Sequence, residues 1–218
     1  RRVLFRSKVF RFNEGRLGDG VSIAPNGGFG FGARHLDFHP TRPWVYVSVE
    51  RQNQMLMFRR DGDAIAPLPA FVKDTLADPA HIRSPQQAGT VHVHPRGHVV
   101  YGVNRAYIPV PMDGRMVLPG GENSLVVYRI DPATGEPVAI QHEDTRGVYC
   151  RTFHIAPGGS LLVAGNLMPL DVLENGGGVR HVPASLALFR IAEDGRLSYL
   201  RKYDVDVGTE QLYWMGIL

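Results

Sequence analysis

Short runs of alternating apolar and polar residues, broken by Pro and Gly, dominate this chain. Leu36 and Phe38 alternate with polar neighbours, His39-Pro40-Thr41-Arg42-Pro43 reverses the chain, and Val45-Tyr46-Val47-Ser48-Val49 is rich in strand formers. The pattern predicts a hairpin over residues 34–50, with Arg34 and Glu50 opposite each other at its open end. Lys8-Val9-Phe10-Arg11-Phe12 predicts a strand closed by Asn13-Glu14-Gly15, and residues 19–32 read as a Gly-rich loop. Residues 54–60 predict a third strand and residues 65–72 a fourth, frayed by Pro67 and Pro69. Residues 74–83 could form a short helical turn.

The pattern then repeats in phase. Thr90 to Arg105 copies the hairpin, Glu122 to Asp131 copies its third strand, and Pro137 to His142 supplies a fourth. A third copy runs from Thr152 to Asn166, with further strands over 184–191 and 197–205. The anchoring Pro40, Pro95 and Pro157 lie 55 and 62 residues apart, with insertions at 106–121 and 167–183. Four strands per repeat at this period predict an all-β chain folded as a β-propeller of four-stranded blades. The plainer alternative is an open β-sandwich. A blade cannot bury both faces alone, so blades stack in a ring. Three complete blades with flanking strands over 8–218 do not close one. The chain is therefore read as the C-terminal fragment of a larger propeller. Residues 1–7 are read as non-native, because Leu4-Phe5-Arg6-Ser7 is what one frame of a common sequencing-adaptor end would encode.

Composition narrows the functions little. Of 218 residues 44% are hydrophobic, enough for a core, and a net charge of +3 without any Lys/Arg block gives no case for nucleic acid. No apolar run reaches the ~18 residues of a membrane span. Cys150 is the lone cysteine, so neither an intrachain disulfide nor a Cys-rich metal site can form.

Aligning the copies by their prolines places candidate chemistry at one end of each hairpin. Ten residues after each Pro stand Glu50, Arg105 and Leu167; six residues before stand Arg34, Gly89 and Arg151. In a propeller that end faces the channel, so Arg34, Glu50, Arg105 and Arg151 converge. Arginine forks bind carboxylate or phosphate, and a carboxylate among them can act as a base. The alternative is a salt-bridge network tying blades together. Asn104 and Asn166 precede the site positions and could line the rim. His92 and His94 have the i, i+2 spacing of metal ligands, but the turn slot of His94 argues for a structural role. His35 adjoins Arg34 and, by alternation, faces away from it; His154 shares an inner-strand slot with Asp37 and His92. Gly176-Gly177-Gly178 lacks the Lys-Ser/Thr of a phosphate loop and reads as a flexible insertion, and neither Gly-x-Ser-x-Gly nor His-Glu-x-x-His occurs.

Several phased elements carry a resemblance: Gly32-Ala33-Arg34-His35, His39-Pro40, Tyr46 to Glu50 leading into Asn53, Asn104-Arg105 leading into Glu122-Asn123-Ser124, Asp131-Pro132-Ala133-Thr134-Gly135, and Arg151-Thr152-Phe153. Their order resembles the lactonase family of seven-bladed β-propellers, the cycloisomerase-type 6-phosphogluconolactonases and their muconate-cycloisomerase relatives. Ala33 stands where that family usually has Pro, and Tyr213-Trp214-Met215-Gly216 looks like the family's C-terminal end. The resemblance implies hydrolysis of a small anionic sugar lactone, such as 6-phosphogluconolactone, without metal or other cofactor. Glu50 and Arg105 would be catalytic, with Arg34, Arg151 and Asn104 binding substrate. The family's proposed catalytic His would lie upstream. A cycloisomerase or other lactone-processing activity, or a non-catalytic propeller scaffold, are the alternatives. The sequence fixes no oligomeric state and no compartment; a cytoplasmic location is favoured, with the periplasm left open.

Overall fold

A computed structural model describes residues 5–82 and 85–218. Residues 1–4 of the segment read as non-native, and Arg83 of the expected helical turn, lie outside the described residues. The chain forms nineteen strands among the described residues, β1 to β19, and most of them build three antiparallel sheets.

Each sheet is a four-stranded blade whose strands follow chain order from the centre outward. The first contains β3 (Ala33–Phe38), β4 (Trp44–Val49), β5 (Gln54–Asp61) and β7 (Phe71–Asp74), with the short β6 (Ala64–Ile65) also on β5. The second contains β8 (Gln86–Val93), β9 (Val99–Ala106), β12 (Ser124–Ile130) and β13 (Pro137–Asp144). The third contains β14 (Cys150–Ile155), β15 (Leu161–Asn166), β18 (Ser185–Ile191) and β19 (Leu197–Asp204). Strands β3, β8 and β14 lie side by side, as the innermost strands of neighbouring blades must.

Apolar cores fill the spaces between blades. Trp44, Tyr46, Met55 and Met57 of the first blade pack against Val91, Val100, Val126 and Tyr128 of the second. Tyr101, Val103 and Leu125 of the second pack against Phe153, Leu162 and Phe189 of the third. Burying such side chains contributes about 1.5–3 kcal/mol each, and neither face of a blade is satisfied without a neighbour.

Several expectations are corrected. The Gly-rich stretch supplies a strand, β2 (Arg16–Ile23), which pairs with β1 (Ser7–Asn13) through a Glu14-Gly15 turn with both φ angles positive. The outer strand of the first blade is 71–74, not 65–72, because Pro67 and Pro69 lack ladder donors. Residues 75–82 contain no helix. Both insertions fold into hairpins: β10 (Val110–Met112) with β11 (Arg115–Val117), and β16 (Leu170–Leu173) with β17 (Val179–Val182). They join through a bridge between Leu118 and Val172 over a small core of Ala106, Leu118, Val148 and Val182. Gly177 closes the second hairpin by donating to the Glu174 carbonyl, so the Gly-rich run is an ordered turn. Residues 205–218 form no strand and run back past the third blade, with Leu212 N–H donating to the Leu167 carbonyl.

Candidate active site

The site is built on one irregularity that recurs near the start of each inner strand. The β3–β4 register slips between Ala33 and His35, β8–β9 between Ala88 and Val91, and β14–β15 between Cys150 and Thr152. The extra residues include Arg34, Gly89 and Arg151, the positions that the proline alignment singles out. A bulge re-aims its side chain and increases local twist. It also means that strict alternation need not hold between Arg34 and His35. The pKa of His35 is pulled down to about 4, first by burial and then by the charges of Arg34 and its neighbours.

Glu50, in the turn after β4, is the meeting point. Its Oε1 accepts from Arg34 Nη1 at 2.7 Å and from Arg105 Nη2 at 2.7 Å. The carboxylate remains partly open, with 26% side-chain exposure, whereas Arg105 is 1% exposed. Gly89 lets β8 approach Val103, since a Cβ there would stand 2.6 Å from Val103 Cγ1 but an ordinary 3.6 Å from Arg105 Nη1. Arg105 Nη2 also donates to Gln87 Oε1 at 3.0 Å, and its guanidinium lies 5.4 Å from the centroid of the Tyr149 ring. Burial lowers the pKa of Arg105 from its ordinary value, and the charge of Arg34 adds to the shift. Arg105 is nevertheless a cation in the site, because a guanidinium keeps its proton in proteins.

Not every donor is used. Arg105 Nε and Nη1 and Arg34 Nε are buried without an acceptor. An unpaired buried donor costs about 1–3 kcal/mol, more when charged, so a network that served only stability would be expected to fill these positions.

Arg151 does not touch the carboxylate. Its guanidinium stacks on Tyr213 at 3.8 Å, close enough to Arg105 to oppose its charge. Next along the C-terminal segment, Trp214 stacks on His35 with centroids 5.4 Å apart. Asn104 is fully buried; its Nδ2 donates to Thr75 O at 2.5 Å and Ser124 Oγ at 3.1 Å, which ties strands together behind Arg105. Asn166 repeats this arrangement with Thr145 O and Ser185 Oγ. Cys150 is no nucleophile in this setting, since burial pushes its thiol up to about 12.

Deeper along the inner strands, Asp37, His92 and His154 form a ladder from blade to blade. His92 Nδ1 lies 3.5 Å from Asp37 Oδ2, and the His92 and His154 rings are 5.4 Å apart. His94 turns away to donate from Nε2 to Gly159 O at 2.8 Å, so it does not converge with His92. The sequence reading missed Gln87 and Tyr149. Extending the proline alignment by two positions would have exposed them, because Gly32, Gln87 and Tyr149 share one slot.

Known proteins resemble this chain in sequence and fold. A family model described as "Lactonase, 7-bladed beta-propeller" matches residues 8–168. A 6-phosphogluconolactonase from Bacillus subtilis (strain 168) is 28% identical over 158 residues, covering 69% of this chain and 39% of that protein. A solved structure of a protein from Lactobacillus plantarum aligns with TM-score 0.66 at 23% identity, over 93% of this chain and 50% of that one. The periplasmic gluconolactonase of Pseudomonas aeruginosa aligns with TM-score 0.63 at 22% identity, over 90% of this chain and 47% of that one. The chain therefore spans half or less of these relatives. At such identities the structural likenesses speak to the fold alone. The family match covers most of the chain, and the chain belongs to the lactonase family of seven-bladed β-propellers.

Proposed function

We propose that the protein of which these blades form part hydrolyses an anionic sugar lactone at the Glu50–Arg34–Arg105 cluster. The observation that carries this reading is a half-open carboxylate beside buried, unpaired arginine donors. Glu50 takes a proton from water as the water oxygen bonds to the lactone carbonyl carbon. The positive charge of Arg105 stabilises the oxyanion that forms. Collapse of the tetrahedral intermediate breaks the ring C–O bond, and the leaving alkoxide takes the proton back from Glu50, giving the hydroxy acid. Arg34 holds Glu50 in place by sharing Oε1, and Arg151 adds positive charge for a carboxylate or phosphate on the substrate. The relative named 6-phosphogluconolactonase, 28% identical over 158 residues, supports the substrate class.

The test is hydrolysis of 6-phosphogluconolactone by the full-length protein, corrected for the spontaneous rate, alongside Glu50→Gln. Losing a general base lowers turnover by about 10²–10⁴-fold. Native-like turnover by a folded Glu50→Gln protein would remove Glu50 from the mechanism. No acceleration by the folded native protein would move the cluster to a structural role.

A further inference from the structure

Tyr149 has an uncommon backbone. Its φ is +56°, a left-handed conformation that bulky side chains rarely adopt. Two hydrogen bonds hold it there: Asn123 Oδ1 accepts from Tyr149 N–H at 2.8 Å, and Leu167 N–H donates to the Tyr149 carbonyl at 3.1 Å. The result places the ring over the guanidinium of Arg105, within cation–π range, with Tyr107 6.0 Å behind it. Backbone strain of this kind persists where surrounding structure over-determines it, and it concentrates at functional sites.

The same slot converges on the same pair in all three blades. Gly32 O accepts from Glu50 N–H at 2.9 Å, Gln87 Oε1 accepts from Arg105 Nη2 at 3.0 Å, and Tyr149 covers the Arg105 face. Arg105 is thereby fixed at one nitrogen by Glu50 and Gln87 and on one face by an aromatic ring. Its Nε and Nη1 donors are left unengaged although the side chain is 1% exposed.

We propose that Tyr149 is a positioning residue for anion recognition: its strained backbone holds the ring against Arg105 so that the free guanidinium donors stay presented to a carboxylate or phosphate group of the substrate. This rests on the anionic-lactone reading above. It adds that affinity for the anion depends on a residue that forms no hydrogen bond to it.

Removing the ring and relieving the strain should move stability and binding in opposite directions. Full-length native protein, Tyr149→Gly, Tyr149→Asn and Tyr149→Phe are titrated calorimetrically with 6-phosphogluconate, and their melting temperatures are measured. Tyr149→Gly should melt at or above the native temperature, since glycine adopts positive φ freely, yet bind about tenfold more weakly. Tyr149→Asn, which tolerates the same backbone, should show the same weakening. Tyr149→Phe keeps the ring and should restore affinity to within about threefold. Native affinity in Tyr149→Gly would overturn the proposal. So would melting temperatures that fall together in the Gly and Asn variants, which would make Tyr149 a packing residue. If the native protein itself fails to bind 6-phosphogluconate, the anionic-substrate reading fails first and the positioning role falls with it.

Discussion

The two ends of each inner hairpin obey different rules. At the proline end, blades are joined by a repeated set of satisfied contacts. His39 Nε2 donates to Gly97 O at 2.8 Å, while its Nδ1 accepts from the N–H groups of Thr41 and Arg42. One blade along, His94 Nε2 donates to Gly159 O at 2.8 Å, and its Nδ1 accepts from Arg96 N–H. Tyr46 and Tyr101 add hydroxyl bonds to Gly135 O and Gly195 O. At the bulge end the backbone irregularity also recurs, but its residues are Arg34, Gly89 and Arg151, and buried donors go unpaired. Where the contacts repeat, both ring nitrogens of His39 and of His94 are bonded and the role is adhesion. Where the backbone repeats and the side chains do not, charge is concentrated at a cost to stability, as expected of a binding site.

A substitution at each end should separate the two roles. Arg105→Met removes the unpaired donors together with the Nη2 bonds to Glu50 and Gln87, and leaves Glu50 with Arg34; the effects oppose, so the melting temperature should hold to within a few degrees. Lactone turnover should fall by about 10²–10³-fold, the usual loss for one oxyanion donor. A collapse of stability with proportionate loss of turnover would erase the distinction between the ends.

Gly159→Ala is the converse. Gly159 has φ +70°, and an added Cβ would stand 2.6 Å from the His94 ring. Left-handed strain and a displaced hydrogen bond should together cost roughly 2–4 kcal/mol. Calorimetry should show a melting temperature lower by about 5–15 °C, with KM for the lactone unchanged in the protein that remains folded.

How legible these ends were follows from the same contrast. The prolines, the β-branched runs and the phased turns are local signals, so the blades and the Arg34, Glu50, Arg105 and Arg151 alignment could be read directly. The bulges could not, because a bulge is a register relation between two strands. Tyr149 was missed because its role depends on a positive φ enforced by Asn123 and Leu167, which are distant in sequence. Asn104, read as rim-lining from its place beside Arg105, bonds Thr75 O and Ser124 Oγ through Nδ2, while its Oδ1 is buried without a partner.

The histidine contacts also make the proline end sensitive to acid. Burial holds the pKa values of His39 and His94 below the ordinary histidine value, and their Nδ1 atoms are occupied as acceptors. Between each lowered folded value and about 6.5 the unfolded chain binds more protons than the folded one. Stability is therefore level above about pH 7 and declines as pH falls below 6.5, by up to about 1.4 kcal/mol per unit for each histidine. His35, buried among cations, adds to the decline down to its own value near 4. Melting temperatures across pH 4–8 should show this slope, and His94→Gln should flatten it. A slope that His39→Gln and His94→Gln together leave untouched would remove these two histidines as its source.

The smallest expected effect is the most specific to the adhesive end. Tyr101 is fully buried, and its hydroxyl donates to Gly195 O at 2.8 Å, in a turn where Gly195 has φ +89° and a Cβ would stand 2.4 Å from Val99. Tyr101→Phe keeps the ring and its packing and removes only the donor, leaving a buried carbonyl without its partner. The cost should be about 1–2 kcal/mol, a fall of roughly 2–8 °C in melting temperature, with lactone turnover intact. Tyr46→Phe should cost a similar amount at the neighbouring interface, because its bond to Gly135 O has the same geometry one blade earlier. The two interfaces share no partners, so the double variant should lose the sum to within about 0.5 kcal/mol. Losses well beyond that sum would mean that the repeated contacts act as one cooperative network across all three blades.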